Sequence, residues 1–158
     1  METMAMNDII NRRRVMVGAL GMSAAAALAA IFPRQAVATP DTAKQLLQTL
    51  IKGEPKDGRV TLKAPEIAEN GNAVPVTVSV ESPMTDKDYV KALHIVADGN
   101  PNPGVASFTF TPASGKCEVQ LRVRMAQTQK IVCVAEMSDG SLWSAAREVK
   151  VTIGGCGG

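Results

Sequence analysis

The segment Gly154-Gly155-Cys156-Gly157-Gly158 sets one thiol between two pairs of glycines. The cysteine thiolate is a nucleophile that makes and breaks bonds to sulfur. Glycine has no side chain to obstruct a neighbour and restricts the backbone least. Five residues beyond Ile153 reach ~17 Å when extended, and about 12 Å as a Gly-rich coil. That geometry suits a thiol that must enter a narrow site on another protein. It does not suit a structural cysteine, which would be buried or paired. A free cysteine has a pKa of about 8.5, lowered by a nearby cation or helix N-terminus. Lys150 stands six residues upstream, and the terminal carboxylate two residues downstream repels negative charge. Cys156 is therefore expected not to activate itself. Partners must supply the electropositive pocket and the chemistry, which makes the chain a covalent carrier rather than an enzyme.

Cys117 and Cys133 fall inside apparent strands. Cys117 shares a face with Val119, Leu121, Val123 and Met125, and Cys133 with Ile131, Ala135 and Met137. Both could point inward. If the two strands form a hairpin through 126–129, Cys133 lies opposite Arg122 and a direct cross-strand bond is not expected. Two states stay open: a disulfide across two sheets, or two buried free thiols acting as small apolar residues. The one histidine, His94, sits in an apolar strand without a nearby nucleophile or carboxylate constellation, so a structural role is expected. Met84, Met125 and Met137 read as core filler. No Cys/His spacing makes a zinc, haem or iron–sulfur site, and no glycine loop cradles phosphate. No cofactor is expected.

The elements that must hold this arm are one helix and then strands. Asp41 is a plausible N-cap. Ala43, Leu46, Leu47, Leu50 and Ile51 follow at helical spacing, and Gly53 stops the run, which predicts a helix over 41–52. Residues 53–58 read as a loop. From Arg59 the period becomes two: Val60 and Leu62, then Val74, Val76, Val78 and Val80 against Pro75, Thr77 and Ser79. Pro75 sets its strand at an edge or where its missing N–H is not needed. Val90–Ala97 is apolar throughout, as in a strand covered on both faces. The densest turn cluster is Asp98-Gly99-Asn100-Pro101-Asn102-Pro103-Gly104. Further strands are expected at 105–111, 117–125, 130–137 and 142–153, with a hairpin turn at 138–141. Seven strands spaced near ten residues predict an all-β, immunoglobulin-like antiparallel β-sandwich with a short N-terminal helix.

Residues 1–38 read as an export signal to be cut before Thr39. Asn11-Arg12-Arg13-Arg14 precedes the Ala-rich stretch 15–32, and Ala36-Val37-Ala38 makes a small-residue cleavage site. Adjacent arginines before a weakly apolar segment resemble a twin-arginine signal, although the residues after them depart from the usual pattern. A Sec signal and a membrane-anchoring helix are the alternatives. Arg12, Arg13, Arg14 and Arg34 against Glu2 and Asp8 account for the whole excess of positive charge, so residues 39–158 hold 13 basic and 13 acidic side chains. No clustered basic face argues for nucleic acid. The mature chain is long enough for one domain with its own core, 39–153, followed by the arm 154–158.

The terminal Gly154-Gly155-Cys156-Gly157-Gly158 resembles the signature of SoxY, the sulfur-carrier subunit of the bacterial thiosulfate-oxidising Sox system. The resemblance extends through 64–71, Val74-Pro75-Val76-Thr77-Val78, Ala97-Asp98-Gly99-Asn100-Pro101-Asn102-Pro103 and Ala135-Glu136-Met137-Ser138-Asp139-Gly140. It implies that Cys156 is the covalent attachment point and that Gly154, Gly155, Gly157 and Gly158 form the arm. It implies a periplasmic location and a heterodimer with SoxZ. It also implies a c-type cytochrome that conjugates thiosulfate to the thiol, a dinuclear-manganese hydrolase that releases sulfate, and in some systems a molybdenum sulfane dehydrogenase. From the family pattern only the terminal cysteine is functional. The helix 41–52 and the strand 73–80 are the first candidates for the SoxZ-facing surface, with internal packing as the competing reading.

Two other classes compete. A cytosolic carrier activated at a Gly-Gly carboxylate needs ATP, which an exported protein lacks. A periplasmic immunoglobulin-like binding module, with Cys156 stapling a dimer, predicts that Cys156→Ser abolishes only the dimer.

Overall fold

The computed structural model describes residues 40–152. The expected export signal and the arm with Cys156 lie outside the described residues.

A single helix opens the described chain. α1 spans Pro40–Leu50. Proline at the start of a helix gives up no hydrogen bond, because the first N–H groups have no helical partner. Asp41, expected as the N-cap, instead lies in the first turn, where an acidic side chain complements the helix dipole. Ala43 is buried, and Leu47 with the following Ile51 packs on Val132, Val134 and Leu142. Gly53, at φ 127, turns the chain away as expected.

Nine strands follow: β1 Lys56–Asp57, β2 Val60–Lys63, β3 Ile67–Ala68, β4 Val74–Val80, β5 Val90–Ala97, β6 Gly104–Thr109, β7 Cys117–Val123, β8 Gln129–Met137 and β9 Leu142–Val151. They form two sheets. The larger runs β1-β9-β8-β5-β6, with β3 also on β9, and the smaller runs β2-β4-β7. The seven expected strands are all present, some shorter by one or two residues. The two additional strands are two residues each, too short to show a period, and β1 lies in the segment read as a loop. Both pair parallel to β9, at Trp143–Ser144 and Lys150–Val151. The ladder is therefore not wholly antiparallel. The long strands pair antiparallel.

Packing follows the period. Val74, Val76, Val78 and Val80 point into the sandwich with Leu93, Ile95, Ile131, Cys133 and Met137, all buried. Each such side chain contributes roughly 1.5–3 kcal/mol on leaving water. β5 is covered on both faces, by this core and by α1, which accounts for its continuous apolar run. β4 is central in its sheet, not at an edge. Its ladder with β2 ends at Thr77, so Pro75 has a neighbour only on the β7 side. β7 and β8 do not form a hairpin: they lie in different sheets.

Candidate functional site

Cys156 and its four glycines lie outside the described residues, so the site is built from the groups that fix where the arm begins. β9 delivers the chain to that point and is held on both sides. On one side, Lys150 N–H donates to Glu66 O at 2.9 Å, and Thr152 N–H to Ala68 O at 3.1 Å. The Thr152 hydroxyl also donates to Glu69 O at 3.1 Å. On the other side, Val151 N–H donates to Thr128 Oγ1 at 2.9 Å. These four bonds clamp the last described residues between the segment 66–69 around β3 and the β7–β8 loop.

That loop is itself held by a polar clasp. Gln129 is buried. Its Oε1 accepts from Gly99 N–H at 2.7 Å and its Nε2 donates to Asn100 Oδ1 at 2.8 Å. Asn100 Nδ2 donates to Arg124 O at 2.7 Å, and its Oδ1 accepts from Ala126 N–H at 3.0 Å. Gly99 is required sterically: a Cβ there would stand 2.8 Å from Gln129 Cβ. A third loop joins through Met125 N–H to Gly71 O at 2.7 Å. Three loops and the C-terminal end of β9 with Thr152 thus form one hydrogen-bonded end of the sandwich. The turn cluster 98–104 was visible in the sequence. Its partner Gln129 was not, since the two are thirty residues apart.

The internal cysteines are silent. Cys117 and Cys133 are free and buried. Cys117 is aligned with Val80, and Cys133 lies between Ile95 and Ala145. Burial pushes their thiols up, to about 11 for Cys117 and about 12 for Cys133. A thiolate is costly in an apolar core, so neither is a nucleophile near neutral pH. The open choice between disulfide and buried thiols resolves to thiols.

His94 is 9% exposed, with its Nδ1 2.8 Å from Ser107 Oγ. Burial lowers its pKa, and the charge of Glu136 partly opposes that. Glu136 is itself engaged with Lys91 Nζ at 2.7 Å. Among the described residues its side chain is bonded to Ser107 on the neighbouring strand β6. Met84, Met125 and Met137 are all core residues. Among the described residues, no group of three or more His, Cys, Asp or Glu converges as a metal site. Lys150, the cation nearest Cys156 in sequence, faces Glu66 Oε1 at 4.0 Å, so its charge is shared before the arm begins.

A model of the family "Sulfur oxidation protein SoxY" matches residues 44–156. No curated protein matches. Among solved structures, the sulfur carrier protein SoxY from Chlorobium limicola f thiosulfatophilum is 40% identical. That match covers 70% of this chain and 96% of the other, with a TM-score of 0.59. A superoxide reductase (neelaredoxin) from Ignicoccus hospitalis shares the fold at 21% identity, covering 73% of this chain and 94% of the other, with a TM-score of 0.53. The extent of the family match and the close identity to a solved member agree with the strand pattern: the chain belongs to the SoxY family.

Proposed function

We propose that this protein is a periplasmic sulfur carrier that holds thiosulfate-derived intermediates on Cys156 and presents them to separate enzymes. The observation that carries the reading is the family match, which extends through Cys156 and includes a 40% identical sulfur carrier. The hydrogen-bonded end of β9 supports it, because a swinging arm needs a fixed root. So do the two buried thiols, which leave Cys156 without an accessible competitor among the described residues.

A cytochrome partner removes two electrons as the outer sulfur of thiosulfate bonds to Sγ of Cys156. The thiol proton is released, and the product is Cys–S–S–SO3⁻. A hydrolase adds water across the S–SO3 bond, giving sulfate, two protons and the persulfide Cys–S–S⁻. A sulfane dehydrogenase, where present, oxidises the outer sulfur with three waters to Cys–S–SO3⁻, removing six electrons and releasing six protons. Glycines on both sides of Cys156 let one arm enter differently shaped sites. Ordering the arm costs roughly 1–2 kcal/mol per residue, which favours release between steps. A SoxZ-type subunit completes the carrier as a heterodimer, and export uses the signal 1–38 through the twin-arginine route. Among the described residues no helix is long and apolar enough to cross a membrane.

The test is intact-mass spectrometry under non-reducing conditions on protein recovered from cells grown on thiosulfate. Sulfur adducts on the Cys156 peptide that vanish with a thiol reductant, on a chain starting near Thr39, are expected. A bare thiol, or only a homodimeric disulfide, overturns the carrier reading in favour of a binding module.

A further inference from the structure

We infer that the end of the sandwich around Thr152 is the surface on which the thiosulfate-conjugating enzyme seats, and that it is recognised through uncharged amide groups. This rests on the carrier reading and adds to it where the enzyme must touch. Cys156 is four residues beyond Thr152, and four extended residues span at most ~14 Å. An enzyme that takes Cys156 into a recessed site must therefore bring its rim onto the surface from which the arm leaves. A partner seated wholly on parts of either sheet more than ~14 Å from Thr152 could not be reached.

That surface is continuous, because its three loops are bonded to each other and to the arm's root. Thr152 bonds Glu69, Gly71 bonds Met125, Asn100 bonds Arg124 and Ala126, and Thr128 bonds Val151. Its outward side chains are Asn70, Asn72, Asn102, Gln127 and Thr128, all exposed. They offer amide and hydroxyl donors and acceptors without charge. Arg124 and Lys130 flank them on the positive side and Glu69, Asp98 and Glu148 on the negative, so the two signs are mixed. The matching rim presents hydrogen-bonding groups rather than a field of one sign. Each neutral bond contributes only about 0.5–1.5 kcal/mol, as suits a carrier that must leave each enzyme. The clasp of Gln129 and Asn100 keeps the surface in one shape before contact, so little ordering is lost on docking.

The experiment uses the full exported protein, with any subunit that co-purifies, and the enzyme that conjugates thiosulfate to it. Asn72→Trp and Asn102→Trp each set a bulky ring on this end. Lys116→Trp sets one at the far end of β7, ~20 Å away along a seven-residue strand. The expected result is that both asparagine variants raise KM for the carrier at least tenfold. Their kcat and melting temperature stay close to wild type, and Lys116→Trp stays within twofold throughout. If the asparagine variants match Lys116→Trp while wild type gains the sulfur adduct, this surface is wrong and the carrier reading stands. If wild type gains no adduct, the carrier reading falls and takes the surface with it.

Discussion

At the scale of single residues, the three cysteines divide by surroundings. Cys117 and Cys133 have their thiols raised to about 11 and about 12 by burial, so at pH 7 the thiolate fraction is on the order of 10⁻⁴ or less. A maleimide or disulfide reagent should therefore modify one thiol per folded chain, at Cys156, and three only after denaturation. Fast labelling of a second thiol in the native protein would contradict the buried placement. The same burial makes stability pH-dependent. Each folded pKa lies above the ordinary value near 9, so the folded state keeps protons that the unfolded state loses. The contribution is complete below pH about 9 and is lost as pH rises towards 11–12. The melting temperature should fall between pH 9 and 11, and the fall should be smaller in a Cys117→Ala/Cys133→Ala variant. These substitutions also leave small cavities, so the comparison is of slopes rather than absolute temperatures. The inward facing of both residues was readable from the alternation of their strands. Their free state was not, because it depends on which strands share a sheet.

At the scale of elements, the long strands and the helix were legible because each buries one face at a fixed period. Val74, Val76, Val78 and Val80 announce β4, and Leu47 with Ile51 announces the packed side of α1. β1 and β3 were not legible. Two residues carry no period, and their partner β9 lies more than eighty residues along the chain. Parallel pairing on β9 is also why the sandwich differs from a purely antiparallel one. The polar clasp sits between these cases: turn chemistry marks 98–104, while only the tertiary structure brings Gln129 beneath it. Gly99→Ala tests that element. The added methyl would stand 2.8 Å from Gln129 Cβ, which is side-chain root rather than a flexible tip. The loop must shift and lose its bonds to Gln129. We expect a destabilisation of about 1–3 kcal/mol, read as a lower urea midpoint with an unchanged slope. Gln129→Ala should cost a similar ~1–3 kcal/mol by leaving Gly99 N–H without its acceptor and removing one of the bonds to Asn100 Oδ1. A midpoint within error of wild type for both would mean that the clasp does not hold the loops.

At the scale of the whole molecule, the charge balance bears on how partners find the carrier. The excess positive charge belongs to residues 1–38, and residues 39–158 are formally neutral, with 13 side chains of each sign. The end of the sandwich at Thr152 is lined by amides, with Arg124 and Lys130 set against Glu69, Asp98 and Glu148. Lys150 faces Glu66 Oε1 at 4.0 Å. Strong electrostatic steering needs a face of one sign, and its benefit collapses as salt shortens the screening length from about 10 Å at 0.1 M to 3 Å at 1 M. A carrier without such a face should dock with little dependence on salt. KM of the mature protein for the conjugating enzyme is therefore expected to change less than about threefold between ~20 and ~500 mM sodium chloride. kcat serves as the internal control for effects of salt on the chemistry. Glu69→Lys should alter that picture in a readable way. It replaces a negative charge by a positive one at the residue whose carbonyl holds the Thr152 hydroxyl, and an enzyme site built for sulfur oxyanions is itself electropositive. KM should then rise at low salt and return towards the wild-type value at high salt. A tenfold salt effect already present in wild type would mean instead that charge pairing, not amide contact, brings carrier and enzyme together.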